Sequence, residues 1–488
     1  MKPVELIGIS LLCAAWLGCG SGSTTHAQVA DTPSASVKPP ISVNDSTLLS
    51  LWTRKQGSDW PSFLGPNGDG KSPETGILKN WPESGLRIVW QRKLGTSYGI
   101  GSISRGRFFQ FDRFGDKGRV YALNAETGEE LWRYEYNTEY DDLYGYNNGP
   151  RCSPIVDGDR VYAYGVDGML LALKAVDGTL LWKVDTKKDF GVIQNFFGVG
   201  SNPVVHGDLL LVMVGGSPEE DQKLPPGRLD YVTGNGSGIV AFDKVTGQVR
   251  YKITDELASY ASMKLAMIDD RPWCFAFCRG GLVGFDPRNG DVDFQFPWRA
   301  KSLESVNAAM PTVHGNEVLI SETYGPGAAL LSVKPGEHRV VWQDDLRKRD
   351  KAMQAHWNTP VFHEGYLYGC SGRHTENAEL RCIEWKTGKV MWSEPGLTRT
   401  SLTYIDGHFL SLGEYGTLQL IKATPEKYDL VAETTLQRPQ EGPVPEGFAR
   451  SAALLKYPAW TAPVVSHGLL YLRGDDRLVC LELIPEKQ

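Results

Sequence analysis

The sequence is poor in the residues that most often announce chemistry. Its 488 residues include 8 cysteines and 9 histidines, and none forms a C-x-x-C-H haem-attachment run. No G-x-S-x-G turn raises a nucleophilic serine. The glycine-rich stretch 217–236 is followed by no G-K-S/T and opens no helix, so it is not a phosphate loop. Basic excess is missing too: 58 acidic against 51 basic residues leave a formal net charge of -7. That balance argues against nucleic acid or an anionic membrane surface as a partner, since both demand a basic face. No charge run is long enough to form an interaction tail. The apolar run from Val4 to Leu17 is too short for a permanent membrane helix.

What the N-terminus does carry is an export signal over residues 1–27, with Lys2 before the apolar run and small residues after it. Trp16-Leu17-Gly18-Cys19 resembles a bacterial lipobox, although Leu17 stands where a small residue is usual. Thr25-His26-Ala27 offers an ordinary signal-peptidase site instead. The lipoprotein reading is carried forward because a Gly/Ser/Thr-rich stretch directly follows Cys19. Acylation there would be the only membrane attachment. Residues 28–58 read as a flexible Ser/Pro/Thr-rich tether and 59–488 as the folded body, with a lead-in loop over 59–85. An exported protein of the periplasm or cell envelope is expected.

The body is repetitive. The phrase GRVYALNAETGEELWRYE (118–135) returns as GMLLALKAVDGTLLWKVD (168–185), SGIVAFDKVTGQVRYKIT (237–254), GGLVGFDPRNGDVDFQFP (280–297) and AELRCIEWKTGKVMWSEP (378–395). Weaker copies occupy 327–344 and 416–433. Each phrase is two alternating strands about a tight turn, and each follows a second hairpin such as SPIVDGDRVYAYG (153–165) or NPVVHGDLLLVMVG (202–215). Four strands, A to D, in about 40 to 50 residues make one propeller blade. Seven copies leave LRIVWQRKLG (86–95), with Trp90, as an orphan D strand and 462–483 as three strands without a fourth. Joining them predicts an all-β, eight-bladed propeller closed by pairing its N- and C-terminal strands, with no open edge.

Strand D ends in an aromatic in most copies: Trp132, Trp182, Tyr251, Phe294, Trp342 and Trp392, with Leu430 in the seventh. Ala122, Asn124, Thr127, Gly128 and Trp132 resemble the A-x-D-x-x-T-G-x-x-x-W docking motif of the quinoprotein-like (PQQ-like repeat) propeller family. Ala241, Asp243, Thr246, Gly247 and Tyr251 resemble it with Tyr for Trp. The acid and Thr are expected to bond turn amides, and the aromatics (Trp90, Trp132, Trp182, Trp342, Trp392) to dock blade on blade. The lead-in DWPSFLGPNGDGKSPETGILKNWP resembles that of exported planctomycete-type propellers and is expected to strap over the closing blade. In form the chain is also similar to the barrel-assembly propeller lipoprotein.

Strand parity puts the short A–B and C–D turns on one face and the long B–C and D–A connections on the other. The long connections carry Tyr144, Tyr146, Asn147, Asn148, Asn195, Phe196, Phe197, Trp357, Asn358, Tyr457 and Trp460. From these, Tyr144, Asn147, Asn195, Trp357, Asn358 and Trp460 are the candidate ligand-binding residues. They are expected either to meet a ligand or to plug the central channel. His206, His314, His363, His408 and His467 fall at A–B turns, one per blade, and cannot share a metal. Cys370 and Cys382, on neighbouring strands of one hairpin, are the expected disulfide. Cys274 and Cys278 are about 13 Å apart along one strand and read as small buried hydrophobes.

Two functions remain. One is an exported binding or scaffold module for an envelope protein or a small-molecule ligand, with no assigned cofactor or metal. The alternative, implied by the resemblance, is a PQQ-dependent dehydrogenase oxidising an alcohol or aldose. That reading needs quinone and calcium, with Asn147, Asn195, Trp357 and Asp189 as a conceivable axial set. The Cys-Cys pair of the alcohol-oxidising members is missing.

Overall fold

The computed structural model describes residues 48–193, 195–437 and 453–486. The expected export signal, Cys19 and most of the expected tether lie outside the described residues, as does part of the connection before Trp460.

Eight four-stranded antiparallel sheets follow one another around a ring. In the first blade, Ser102–Ser104, Arg107–Phe114, Lys117–Asn124 and Glu130–Asn137 pair in chain order from the axis outward. The closing blade joins Val464–Ser466, Leu469–Arg473 and Arg477–Glu482 to Ile88–Lys93, with Trp90 opposite Cys480 and Lys93 opposite Arg477. Strands B and C are buried on both faces, as in Leu209–Met213 and Ile239–Asp243, because each blade is covered by its two neighbours. Strand D faces water on one side, and burial along Glu130–Asn137 alternates accordingly. Apolar side chains therefore meet between blades: Phe109, Val120 and Trp132 of the first blade share one core with Val161 and Leu171 of the second.

The docking aromatic acts across that junction. Trp90, Trp132, Trp182, Trp342 and Trp392 each donate their indole N–H to a carbonyl of the next blade, those of Ala125, Ala175, Lys244, Trp385 and Thr424. The ring of Trp132 lies on Gly178, where an added Cβ would stand 2.4 Å from Cε3. Asn124 accepts from the amides of Glu126 and Thr127, and Asp243 from those of Val245 and Thr246. Every C–D pair also slips register at the docking position, as where Trp132 faces Ala122 but Glu130 faces Leu123; in the seventh blade that position holds Ala432 in place of an aromatic. This bulge adds local twist and turns the ring toward the next blade.

Three expectations change. All six cysteines among the described residues are free. Cys370 pairs in register with Leu380 and Cys382 with Tyr368, a diagonal relation that holds side chains about 7 Å apart, too far for a bond. Cys274 and Cys278 are fully buried. The lead-in does more than strap the closing blade. Glu74 does accept from the His467 and Gly468 amides there. But Trp60 exchanges backbone hydrogen bonds with Ile103, Pro61 accepts from Val156, and Ser72 donates to Tyr404. The segment thus crosses the central channel and, with the Lys264 ammonium on the Asn67 and Gly68 carbonyls, hydrogen-bonds the innermost strands of four blades. Residues 48–58, expected as the end of the tether, also pack on the body: Leu48 is buried and the Trp52 ring stacks on His467 at 4.1 Å.

Candidate functional site

With the lead-in across the A–B face, the channel becomes a cup open toward the long connections. Its cavity of about 710 Å³ has Trp60, Phe63 and Leu64 for a floor. The walls begin where each D–A connection enters strand A, and small polar residues there tie blade to blade. Asn202 accepts from the Ser153 amide and donates to Ser262, Asn358 donates to the Thr400 carbonyl, and the Ser401 hydroxyl donates to the Trp460 carbonyl.

Above this ring runs a continuous aromatic strip. Tyr324 lies edge-on to His356, His356 lies against Trp357, and Trp357 and Trp460 have ring centroids 4.3 Å apart. Tyr98 then follows Trp460 at 4.9 Å. Three guanidinium groups stand over it: Arg373 over Tyr324 at 4.1 Å, Arg399 over Trp357 at 4.6 Å, and Arg151 over Tyr98 at 5.4 Å. Aromatic faces attract cations electrostatically, and the partly dry wall strengthens that.

Two of the three are neutralised. Glu414, fully buried, pairs with Arg399 at 2.5 Å and accepts from the Trp460 indole at 3.1 Å and the Thr375 hydroxyl at 2.8 Å. Burial pushes the Glu414 carboxyl up, but the hydrogen bonds from Arg399, Trp460 and Thr375 outweigh it and hold it below its usual range. Asp142 pairs with Arg151 at 2.6 Å and accepts from the Tyr144 and Tyr146 amides, which fixes the rim loop. His356 is pushed down to about 3 by burial, aided by Arg399 and Arg373, and is therefore neutral at physiological pH. Its Nε2 meets the Tyr324 hydroxyl at 3.3 Å, while Nδ1 is buried without a partner.

The structure divides the expected site residues. Trp357, Asn358 and Trp460 line the axial cavity, as does Tyr146. Tyr144 stands on the rim, 48% exposed and stacked on Phe196. Asn147 is buried in its own loop, accepting from Gly149. Asn195 lines a separate cavity of about 490 Å³. Arg151, Arg373, Arg399, Glu414 and Tyr324 were missed; the only trace of them in the sequence is an Arg just before strand A, at Arg151 and Arg399. Residues 65–72, GPNGDGKS, have the spacing of a phosphate loop. Their amides are already consumed, Gly70 donating to Leu64 and Ser72 to Tyr404, and the ammonium of Lys71 rests over Phe362 and Tyr404.

A quinone held by calcium does not fit these residues. Asn147, Asn195 and Trp357 lie in three different environments, and Asp189 is exposed on the short helix Thr186–Phe190. Among the described residues no group of three or more His, Cys, Asp or Glu side chains is placed to hold a metal ion. Glu414, the buried carboxylate beside the cavity, already accepts from Arg399, Trp460 and Thr375.

Known proteins agree with the architecture. The outer membrane protein assembly factor BamB of Moranella endobia (strain PCIT) is 20% identical over 274 residues, 54% of this chain and 62% of that protein. The quinohemoprotein alcohol dehydrogenase ADH-IIG of Pseudomonas putida is 22% identical over 192 residues, 38% of this chain and 25% of that one. The chain thus spans less than two thirds of the length of either curated relative. The crystal structure of BamB from Moraxella catarrhalis superposes with a TM-score of 0.53 at 15% identity, covering 83% of this chain and 99% of that one, which shows a shared fold. Among the described residues no helix is long and apolar enough to cross a membrane. The profile of the family described as outer membrane protein assembly factor BamB matches residues 82–221 and 224–425, most of the propeller, and the chain belongs to that family.

Proposed function

We propose that the protein is an exported binding module of the cell envelope, anchored through Cys19, that engages a partner on its long-connection face and receives part of it in the axial cup. The observation that carries this reading is the make-up of that face. An open cavity walled by Trp357, Trp460, Tyr98 and Tyr324 and three arginines is rimmed by exposed Tyr144, Tyr146 and Tyr457. Tyr, Trp and Arg are the side chains that dominate binding energy at interfaces, and exposed aromatic rims are costly on a surface without a partner. The opposite face is spanned by the lead-in, so contacts are expected on one side only. Membership of a family described as an outer membrane protein assembly factor is in keeping with a scaffold, and the partner is expected to be an envelope protein or a small-molecule ligand. Photo-crosslinking in the envelope tests it: a crosslinker in place of Tyr146 should capture a discrete adduct, and one in place of Asp270, at an A–B turn, should not. Equal capture from both faces, or none from position 146, removes the proposal.

A further inference from the structure

The charge pattern of the cup specifies what enters it. This inference rests on the reading of the cup as a binding site and adds a chemical class. Of the three guanidinium groups on the aromatic strip, Arg399 is matched by Glu414 and Arg151 by Asp142. Arg373 has no ion pair within 4.0 Å among the described residues, and its guanidinium is spread over the Tyr324 face. Two carboxylates on that side, Glu322 and Glu304, attract it from beyond ion-pair distance and have nearer hydrogen-bond partners. Glu322 is buried and accepts from the Ser305 hydroxyl and the Tyr324 amide, and burial pushes it up to about 7. Glu304 accepts from the Ser302 hydroxyl. The remaining acid on the wall, Asp475, follows the buried Arg473, whose charge it helps to offset.

One cation without a directly paired carboxylate thus stands at the end of a strip of flat rings. Next to it, the His356 Nδ1 is buried without a partner. We propose that the corner formed by Arg373, Tyr324, His356 and Trp357 is a subsite for a monoanionic aromatic carboxylate. Its ring packs against Tyr324 and Trp357, and its carboxylate pairs with Arg373. A planar carboxylate matches the guanidinium fork, and stacking on Tyr324 keeps that fork in place. A second or third carboxylate on the ligand would face Glu414 and Asp142, whose partner arginines are already satisfied. The cup therefore selects one negative charge.

The test titrates the full-length protein with 2-naphthoate, 2-naphthamide and naphthalene-1,4,5-tricarboxylate, following tryptophan fluorescence and heat. Naphthoate is expected to bind about tenfold tighter than the amide, the worth of one charge-assisted hydrogen-bonded pair, and tighter than the tricarboxylate. Arg373→Gln should abolish the preference for the acid over the amide, and Arg373→Lys should restore part of it. Trp357→Ala should weaken acid and amide alike. Circular dichroism and the unfolding midpoint check that each variant is folded. Equal binding of acid and amide, or a preference unmoved in Arg373→Gln, overturns the carboxylate assignment while leaving the cup a binding site. Tighter binding of the tricarboxylate overturns the single-charge argument. No saturable binding of any probe overturns the subsite, and the Tyr146 crosslinking then decides separately whether the face binds a partner.

Discussion

Lys264 offers the sharpest test of the lead-in as a structural part of the channel. It lies on the innermost strand Lys264–Ile268, 8% exposed, and its ammonium donates to the Asn67 and Gly68 carbonyls of the lead-in at 2.6 and 2.7 Å. Burial pushes its pKa down from 10.5 to about 8, with Asp69 opposing. At about 1.4 kcal/mol per pKa unit the charged form costs the fold about 3 kcal/mol. Below pH 8 both states hold the proton and the whole cost is present. Between 8 and 10.5 the unfolded chain keeps a proton that the folded one gives up, so stability rises with pH in that window. Between pH 7 and 9.5 the gain is about 2 kcal/mol. Lys264→Met lacks this titration, and the carbonyls it leaves unpaired cost the same at every pH. Urea unfolding of both proteins at several pH values isolates the effect, because all other groups titrate in both. Wild type should gain about 2 kcal/mol on the variant from pH 7 to 9.5. A difference flat with pH would refute the buried, carbonyl-held charge.

Other consequences follow from the same geometry. Gly178→Ala places a methyl 2.4 Å from Trp132 at a φ of +74° and should cost about 2 to 4 kcal/mol in urea unfolding. Gly336→Ala, at φ +75° with nothing within 4 Å, should cost about 1 kcal/mol, and equal losses would show that docking is irrelevant. Glu414→Ala strands the Arg399 charge and the Trp460 indole and should lower stability by about 3 to 5 kcal/mol; a loss under about 1 kcal/mol would remove Glu414 as the organiser of the wall. Because the Glu414 carboxyl is held below 4.5, its stabilisation is present above that pH and is lost as pH falls through the lower folded value, which acid titration of wild type against Glu414→Gln measures. The six body cysteines should be unreactive to a thiol reagent in the native protein and all react once it is unfolded without reductant; an unfolding midpoint sensitive to reductant would contradict the register of Cys370 and Cys382.

The propeller was legible because its determinants are local. A turn such as Asn124 to Gly128 names its own residues within five positions, and the strand that follows carries the aromatic that docks on the next blade. Closure was legible by counting, since Trp90 had no strands of its own and the last three strands had no fourth. The site was legible only as a face. Trp357, Asn358 and Trp460 emerged because loop parity puts them on the open side, whereas Tyr144, Asn147 and Asn195 share that parity but lie outside the cup. Parity gives the face of the ring and says nothing of radius. The repeat sequence by itself determined the ring, its eight blades and the side on which its long connections lie. The tertiary structure decided that the lead-in crosses the channel, that Cys370 misses Cys382 by one diagonal, and which arginines of the cup are paired with a carboxylate. These depend on pairings such as Arg399 with Glu414, and Lys264 with Asn67, between residues that closure of the ring brings together and that no short-range pattern in the chain encodes.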